Sequence, residues 1–560
     1  MGNNNHITKA DKSNSIVILD KQAYSNKLND LLNDETTYEK LLRDPSASKN
    51  KNFNTNLKKL LKDMPDLLKS FAVVNPTLPY MYGLVKTHKP GQPLRPIISS
   101  IGSVSYGVSK WLTKLLSPLI GTISNSNVMN SVDLLDKIRN HSDPCKLISF
   151  DVNSLFTKVP VYDVLNYLRD DLHKLDLPVS NEIFIKLIDL CVADNVFTVQ
   201  NSFYRQTFGL AMGNPLSPVL SNLYMEYFET RFLTKICTFN LPWYRYVDDI
   251  LCLWPKTENS HVFLEKLNDL VPSITFKIEE EMNSTLPFLD CMIINNGNSF
   301  KFKVYRKPTL VDSYIHSYSN HHMQVKHSTF SSMFLRALRI CDPEFLDEEL
   351  NYIHNLANKL CYSKDFSNHC LRKAEKTFYS NNNRQPFNKK NILALPYHQE
   401  LTPLSHILKN LNIHVVFRYE NTVKSSLIKN SPHNSSGCVY AIPCKHCDDI
   451  YVGQTGKALD DRIKQHKYSV RTGQQSSGVF KHVESKNHNI DWGNAKEIYK
   501  SNSSVERLIA ETILIKVNDN RTMNLNDGLY NIDGILVNLL LDNDKVNKAK
   551  KILCSLGRVP

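Results

Sequence analysis

Two adjacent aspartates, Asp248 and Asp249, lie within a run that is otherwise almost wholly apolar and aromatic, WYRYVDDILCLW at 243–254. Adjacent carboxylates repel each other and lose hydration when buried, so they persist mainly where a turn exposes them or a cation neutralises them. Residues 244–247 and 250–254 have the composition of two short strands. The run is therefore either an ordinary Asp-Asp hairpin turn or a hairpin that binds a metal ion.

The composition indicates a folded protein with a polyanionic partner. Hydrophobic residues make up 41% of the 560 residues and charged residues 22%, which excludes a largely disordered chain. The formal net charge of +13 favours nucleic acid as the partner, with a merely basic surface as the alternative. No apolar run reaches the roughly 18 residues that span a bilayer, and the N-terminus lacks an apolar signal core, so we expect neither a membrane nor secretion.

Another acidic residue follows a strand upstream of the aspartate pair. The stretch KLISFDVNSLF predicts a strand over 146–150, and Asp151 comes directly after it. If this strand lies beside the Asp248 hairpin, the carboxylates converge. They can then hold two Mg²⁺ ions, which is the arrangement used for nucleotidyl transfer.

Two further stretches supply glycines and basic side chains. In GLAMGNPLSP, Gly209 and Gly213 allow a close backbone approach just before a proline-initiated helix, so this loop can support a template base or an incoming nucleotide. In YGLVKTHKPGQPLRPIISS, Lys86, Lys89 and Arg95 surround a Pro-Gly turn. These three basic side chains can bind a triphosphate. The alternative interpretation of the stretch is a solvated, charged loop.

The order of these four elements resembles the fingers and palm of reverse transcriptases. The amino-acid sequences of the motifs resemble those of the Penelope-like retroelement polymerases, relatives of telomerase reverse transcriptase, over residues 8–345. The motifs that carry this resemblance are KADKSNSIVILD, MYGLVKTHKPGQPLRPIIS, SFDVNSLFTKVP, GLAMGNPLSP, YRYVDDIL, LPFLDCMI and VYRKPT.

The resemblance implies a role for each matching residue. Asp151 and Asp248 would bind the catalytic Mg²⁺ ions, with Asp249 beside them. Phe156 would be the steric gate that excludes nucleotides with a 2′-hydroxyl. The alternative interpretation is that Phe156 is an aromatic residue of the core. Residues 305–307 of VYRKPT would grip the primer backbone, with a plain basic strand as the alternative. The residues implied to contact the triphosphate or to lie under the nascent base pair are Lys86, Arg95, Met212 and Gly213.

A compact second unit begins near residue 430, after a polar segment at 379–391 that has the composition of a linker. CVYAIPC and DIYVGQTG predict two short strands on either side of a cysteine-rich turn. KALDDRIKQHKYSV predicts a helix with Arg462 and His466 on one face, and SVERLIAETILIKV predicts a helix that carries Glu511 in its apolar face. By pattern alone, Glu511 is either a boundary residue or a metal ligand.

This unit resembles the GIY-YIG endonucleases over about residues 436–530, and such a domain follows the polymerase in many Penelope-like elements. The resemblance implies that Glu511 holds one divalent metal ion and that Arg462 stabilises the phosphorane charge. It also implies that two tyrosines, with His466, position or deprotonate the attacking water. Cys438 stands where the family's first motif has glycine. The implied site consists of Tyr440, Tyr451, Arg462, His466, Glu511 and Asn524.

Most of the twelve cysteines are scattered singly through apolar segments, as expected of reduced thiols in an intracellular protein. Cys444 and Cys447 instead have zinc-knuckle spacing, and His482 and His488 offer imidazoles downstream. The endonuclease of Penelope-like elements resembles this set, which implies a structural Zn²⁺. The alternatives are His446 as a competing ligand, or reduced thiols in a loop.

Together these inferences predict an α+β fold, in which a right-hand polymerase with fingers, palm and thumb is followed by a small α/β GIY-YIG domain with a zinc knuckle. The predicted domains are an N-terminal helical region at 1–65, reverse transcriptase fingers and palm at 66–345, a helical thumb and connector at 346–429, and the endonuclease domain at 430–545.

The predicted function is that of a retrotransposon RNA-directed DNA polymerase that nicks target DNA and extends the 3′ end by target-primed reverse transcription. Its partners would be an RNA template, a DNA primer, target DNA and dNTPs. Its cofactors would be two Mg²⁺ ions in the polymerase site, one in the nuclease site, and Zn²⁺. A chromosomal target implies the nucleus. The alternatives are an inactive, element-derived nucleic-acid-binding protein and a palm-type RNA polymerase.

Overall fold

The chain divides into two compact units, Met1–Asn430 and Ser431–Pro560. The bounds of the predicted thumb and nuclease regions at 429, 430 and 545 lie outside the described residues. The computed structural model describes residues 4–12, 15–73, 76–200, 202–237, 239, 241–297, 299–308, 312, 314–380, 391–397, 401–418, 437–456, 458–501, 504–518, 521–525, 548 and 550–552.

The first unit mixes helices and strands. Its strands are β1 (Asn5–Lys9), β2 (Ile16–Asp20), β3 (Tyr38–Leu41), β4 (Tyr80–Val85), β5 (Leu94–Ser99), β6 (Cys145–Val152), β7 (Asn195–Val199), β8 (Ser202–Gln206), β9 (Trp243–Tyr246), β10 (Asp249–Pro255), β11 (Phe276–Glu280), β12 (Thr285–Phe288), β13 (Cys291–Asn295), β14 (Phe300–Val304), β15 (Ile392–Pro396) and β16 (His414–Arg418). Its helices are α1 (Lys21–Leu32), α2 (Ser46–Leu60), α3 (Pro65–Ser70), α4 (Tyr106–Leu116), α5 (Ser131–Ile138), α6 (Leu155–Lys158), α7 (Val161–Asp171), α8 (Asn181–Val192), α9 (Ser217–Phe228), α10 (Thr234–Ile236), α11 (Ser260–Asp269), α12 (Met323–Ile340), α13 (Pro343–Lys359), α14 (Lys364–Tyr379) and α15 (Thr402–Asn410).

A four-stranded antiparallel sheet in the order β11-β6-β10-β9 lies at the centre of this unit. Both faces of β10 are buried, which explains its continuous apolar run. Ile250, Cys252 and Trp254 pack into a core built with helices α4, α7, α8 and α9. Leu251 and Leu253 pack on the other face against the β12-β13-β14 sheet. The predicted strands of this hairpin, and the strand before Asp151, are confirmed.

A second sheet in the order β3-β8-β7-β4-β5 contains the predicted basic hairpin, formed by β4 and β5. The helical prediction for the N-terminal region is only partly correct. The structure has α1, α2 and α3 there, but β1 pairs with β2, and residues 38–41 join the second sheet as β3. Tertiary pairing overrides the helical spacing of the leucines at this point, because β8 offers a free edge.

Helices α12, α13 and α14 share one core that includes Phe330, Phe334, Ile353 and Cys370. The segment after them was predicted to be helical. It contains helix α15 between two parallel strands, β15 and β16, so the helical prediction for 346–429 is correct for α13, α14 and α15 and wrong for these two strands. Short strands of this kind resemble helix segments in sequence, because a run of four or five apolar residues fits either structure.

The second unit is a three-stranded antiparallel sheet with helices. Its sheet has the order β18-β17-β19, and a parallel bridge joins Ile450 to Thr522. Across both units, no helix among the described residues has the length and apolarity needed to cross a bilayer. The elements of the second unit are β17 (Cys438–Pro443), β18 (Ile450–Thr455), α16 (Leu459–Arg471), α17 (Gly478–Lys486), β19 (Lys496–Lys500) and α18 (Ser504–Val517).

Candidate active sites and metal centre

An open cleft of about 620 Å³ in the first unit gathers nearly all of the predicted polymerase residues. Its walls come from β5, from β6 with the adjacent α6, and from the β9–β10 turn, three segments that are far apart in sequence and meet only in the fold. Phe156 is half-buried and lines this cleft, so the alternative of a core aromatic is not supported. The predicted residues that line the cleft are Lys86, Lys89, Arg95, Asp151, Phe156, Met212, Asp248, Asp249 and Lys307.

The three aspartates converge because β10 pairs with β6. Asp249 lies directly opposite Asp151 in the antiparallel register, and the Val152 amide donates to the Asp248 carbonyl at 3.1 Å. Burial, followed by the charges of Asp248 and Asp151, raises the pKa of Asp249 to about 6. Burial, and to a lesser extent Asp151, also raises the pKa of Asp248. This cluster of carboxylates is held at a desolvation and repulsion cost that a divalent cation would offset.

The glycine loop lies against the basic hairpin. Gly213 has a φ of 127°, and a Cβ there would lie 2.4 Å from the Ile98 carbonyl oxygen of β5, so no larger residue fits. The Ile98 amide donates to the Met212 carbonyl at 2.7 Å, and the Ser100 hydroxyl donates to the Gly213 carbonyl at 3.0 Å. Gly213 therefore serves the close approach of two segments, which leaves the Met212 side chain in the cleft.

The cationic side of the cleft includes residues that the sequence reasoning did not single out. Arg95 forms an ion pair with the nearly buried Asp11 at 2.9 Å. Burial, and the neighbouring charge of Arg95, lower the pKa of Lys86. Lys12, which follows Asp11, also lines the cleft. Lys277 does too, because β11 pairs it with Asp151, and only the sheet register reveals this.

Arg306 differs from its predicted role on the primer. Its guanidinium forms a two-point ion pair with Glu349, with Nη1 at 2.7 Å from Oε2 and a second, shorter contact to Oε1. It also lies 3.8 Å from the centre of the Tyr352 ring. Arg306 therefore joins the segment that follows β14 to α13, whereas Lys307 next to it lines the cleft.

In the second unit, the two strands and α16 bring four predicted nuclease residues together. The Tyr440 hydroxyl lies 2.7 Å from His466 Nε2, and Arg462 Nε donates to the same hydroxyl at 3.1 Å. The Tyr451 ring meets His466 edge to face at 5.0 Å. Burial and then Arg462 lower the pKa of His466 to about 4, so its imidazole is neutral at pH 7.

Glu511 and Asn524 each bind the backbone of β18. Glu511 accepts from the Gln454 amide at 2.9 Å. Burial raises the pKa of Glu511 to about 7, despite that hydrogen bond. Asn524 pairs with Val452 at two points, accepting from its amide at 2.9 Å and donating to its carbonyl at 2.7 Å. Glu511 is thus a half-buried carboxylate beside the tyrosine pair, and Asn524 fixes the strand on which Tyr451 lies.

The replacement of the motif glycine by Cys438 is accommodated. Cys438 is a buried strand residue opposite Thr455, and the glycine that lacks space for a side chain is Gly437. A Cβ on Gly437 would lie 2.5 Å from the Arg507 guanidinium.

The cysteine-rich turn forms a four-residue cluster with two histidines. The candidate ligand atoms of Cys444, Cys447, His482 and His488 all lie within 4.8 Å of one another. Cys444 Sγ is 3.3 Å from His482 Nε2 and 3.6 Å from His488 Nδ1, and Cys447 Sγ is 3.7 Å from His482 Nε2. Sulfur and nitrogen ligands around a tetrahedral Zn²⁺ are about 3.5 Å apart, so the set fits.

Contacts around this cluster orient its ligands. His482 Nδ1 faces Asp449 at 3.3 Å, a carboxylate–histidine arrangement that is common behind zinc ligands. The competing residue His446 lies outside the group, and its Nδ1 accepts from the Asn489 amide at 3.0 Å. The alternative of His446 as a ligand is therefore not supported by the arrangement of these side chains.

Three family models match the chain. The reverse transcriptase (RNA-dependent DNA polymerase) model matches residues 87–281, and the GIY-YIG catalytic domain model matches residues 436–524. An animal helix-turn-helix domain model matches residues 313–372, across α12, α13 and the first half of α14. The sequence reasoning did not identify this third region.

No curated protein matches the chain by sequence. Similar solved structures include telomerase from Candida albicans in complex with a TWJ fragment of telomeric RNA, at 13% identity and a TM-score of 0.46, covering 67% of this chain and 68% of that one. Apo telomerase from Candida tropicalis has 11% identity and a TM-score of 0.40, with 67% and 65% covered. A Sicinivirus RNA-dependent RNA polymerase has 12% identity and a TM-score of 0.35, with 56% and 71% covered.

Proposed function

We propose that this chain, a reverse transcriptase with a GIY-YIG endonuclease domain as in Penelope-like retroelement proteins, nicks target DNA and copies an RNA template onto the freed end. The observation that carries this proposal is the presence of two complementary sites on one chain. A nuclease site generates a 3′ hydroxyl, and a carboxylate cleft has the residues to extend one. Target-primed reverse transcription joins the two steps.

In the polymerase site, the oxygen donors of Asp151, Asp248 and Asp249 fit Mg²⁺, which is bound in proteins mainly by carboxylates and waters. When bound there, Mg²⁺ would supply the charge that activates the primer hydroxyl and neutralises the pyrophosphate. Lys86 and Arg95 would hold the triphosphate of the incoming dNTP from the opposite wall. Phe156 would lie under the sugar and reject a 2′-hydroxyl.

In the nuclease site, Glu511 would hold a divalent cation, whose role is to stabilise the developing phosphate charge. Arg462 would contribute a fixed positive charge to the same transition state. The two tyrosines, with the neutral imidazole of His466 in contact with the Tyr440 hydroxyl, would position or deprotonate the attacking water. Asn524 would keep β18, and with it Tyr451, in place.

Zn²⁺ would be held by Cys444, Cys447, His482 and His488. Four protein ligands leave no position for a reacting water, so the ion would be structural. It would join the hairpin between β17 and β18 to α17 and the residues after it. In this way it would stabilise the second unit without taking part in cleavage.

The proposed partners are an RNA template, a DNA primer, target DNA and dNTPs, and the net charge of +13 supports polyanionic partners. A chromosomal target places the proposed activity in the nucleus. The predicted domain boundaries stay a prediction.

The proposal is tested by incubating the protein with supercoiled plasmid, an RNA template and labelled dNTPs in Mg²⁺. The wild type should form labelled cDNA covalently joined to nicked plasmid. Asp248→Ala should nick without extending, and Glu511→Gln should extend a supplied primer without nicking. Extension that persists in Asp248→Ala, or nicking that persists in Glu511→Gln, would refute the assignment of that site. Binding without either reaction would favour an inactive nucleic-acid-binding protein.

A further inference from the structure

Arg245 is a buried arginine two residues before the turn that leads to Asp248. Its Nε pairs with Glu229 Oε1 at 2.5 Å, and the two side chains are 0% and 4% exposed. Trp243 Nε1 also donates to Glu229, at 3.2 Å, and so does the Ser126 hydroxyl. A buried ion pair is weak evidence of a stabilising role, because desolvation offsets the attraction. Its position beside the turn points to a second role.

The same guanidinium contacts the turn itself. Arg245 Nη1 donates to the Val247 carbonyl at 3.2 Å and to Asn222 Oδ1 at 3.0 Å. Val247 has a φ of 58°, in the left-handed region that β-branched residues rarely adopt. A strained residue persists only where its surroundings fix it. The hydrogen bond from Arg245 fixes Val247 from the buried side of the sheet.

Arg245 is itself attached to rigid elements. Its amide donates to the Ser126 carbonyl at 2.7 Å, and its carbonyl accepts from the Val128 amide at 2.8 Å. Asn222 lies on α9, and Glu229 begins the π-helical turn that follows this helix. The guanidinium therefore connects the turn to the buried helix behind the sheet.

We propose that Arg245 is a positioning residue of the polymerase site, which acts through Val247 to set Asp248 and Asp249 against Asp151. The functional consequence rests on the proposed metal-binding role of these carboxylates. The positioning itself does not, because it is a property of the turn. Small displacements of a metal ligand are costly, since bound Mg²⁺ demands nearly ideal octahedral geometry.

The test uses two variants of the full chain, each in a Glu511→Gln background that removes the nuclease carboxylate. Arg245→Lys keeps the positive charge near Glu229, but a single nitrogen cannot reach Glu229, Asn222 and Val247 together. Trp243→Phe is the matched control, because it removes a hydrogen bond to the same Glu229 and leaves the contact to Val247. Thermal unfolding shows whether each variant is folded.

The first readout is Mn²⁺ binding in the absence of nucleotide. Binding is measured as the decrease of the EPR signal of free Mn²⁺. We expect the dissociation constant to rise about tenfold in Arg245→Lys and to stay within about twofold of the parent in Trp243→Phe. The second readout is amide hydrogen exchange of the peptide that covers residues 243–254 in metal-free protein, which should be faster in Arg245→Lys than in Trp243→Phe.

The outcomes separate the two proposals. Equal exchange in the two variants overturns the positioning role, whatever the metal data show. Faster exchange in Arg245→Lys with Mn²⁺ binding equal to that of Trp243→Phe limits Arg245 to the turn and overturns its effect on the carboxylates. Faster exchange with no Mn²⁺ binding in the parent supports the positioning of the turn and overturns the proposed metal-binding role instead.

Discussion

Gly453 offers the sharpest test of the nuclease geometry, because its missing side chain is the space that the Tyr440 hydroxyl needs. A Cβ at this position would lie 2.6 Å from the Tyr440 hydroxyl oxygen and 2.8 Å from Tyr451 Cε1. The backbone itself tolerates alanine, since the φ of Gly453 lies outside the left-handed region. The Gly453→Ala change therefore acts on the two tyrosines rather than on the strand.

The size of the effect follows from the distances. The contact to Tyr440 would be about 0.8 Å short of the 3.4 Å at which ordinary van der Waals contact begins. A shift of that size would stretch the hydrogen bonds to His466 and Arg462, now 2.7 and 3.1 Å, beyond hydrogen-bonding distance. One neutral and one charge-assisted hydrogen bond are worth about 2–4 kcal/mol together. We expect nicking to slow roughly 30- to 1000-fold.

The assay is plasmid nicking under single-turnover conditions, with primer extension by the same preparation as an internal control for the first unit. Gly493→Ala is the matched control, because among the described residues its added Cβ would meet only Asp491 Oδ1, at 3.7 Å. Gly493→Ala should nick like the wild type. Both variants should extend a primer as fast as the wild type does. Nicking by Gly453→Ala within about twofold of Gly493→Ala would refute the role of the tyrosine cluster.

Three further predictions concern the metal sites and the sugar gate. Because burial raises the pKa of Glu511 to about 7, protons compete with Mg²⁺ below that pH. The Mg²⁺ concentration that half-activates nicking should therefore rise about tenfold from pH 8 to pH 6, and equal midpoints would contradict this. Cys444→Ser should contain no bound zinc, as measured by elemental analysis, and should unfold at a lower temperature, whereas His446→Ala should keep the metal. Zinc retained in Cys444→Ser would exclude the four-ligand site. Phe156→Ala should lower the preference for dNTPs over rNTPs roughly 10- to 200-fold in primer extension, and unchanged selectivity would return Phe156 to a purely structural role.

The sequence by itself determined the chemistry of both sites. Paired aspartates in an apolar run, a second acid after a strand, and the cysteine–histidine spacing favoured a cation site over the ordinary alternatives of a turn or a loop only when taken together. Family resemblance then assigned roles to individual residues. The cleft brings together the predicted polymerase residues, and β17, β18 and α16 bring together the predicted tyrosines, Arg462 and His466.

The tertiary structure decided what depends on pairing between distant segments. Residues 38–41 became a strand because β8 was available to pair with them, and Lys277 reached the cleft because β11 pairs with β6. Arg306 was drawn into an ion pair with Glu349, 43 residues away. Local sequence carries no record of these partners, since a side chain's role depends on which groups packing brings within a few ångströms of it.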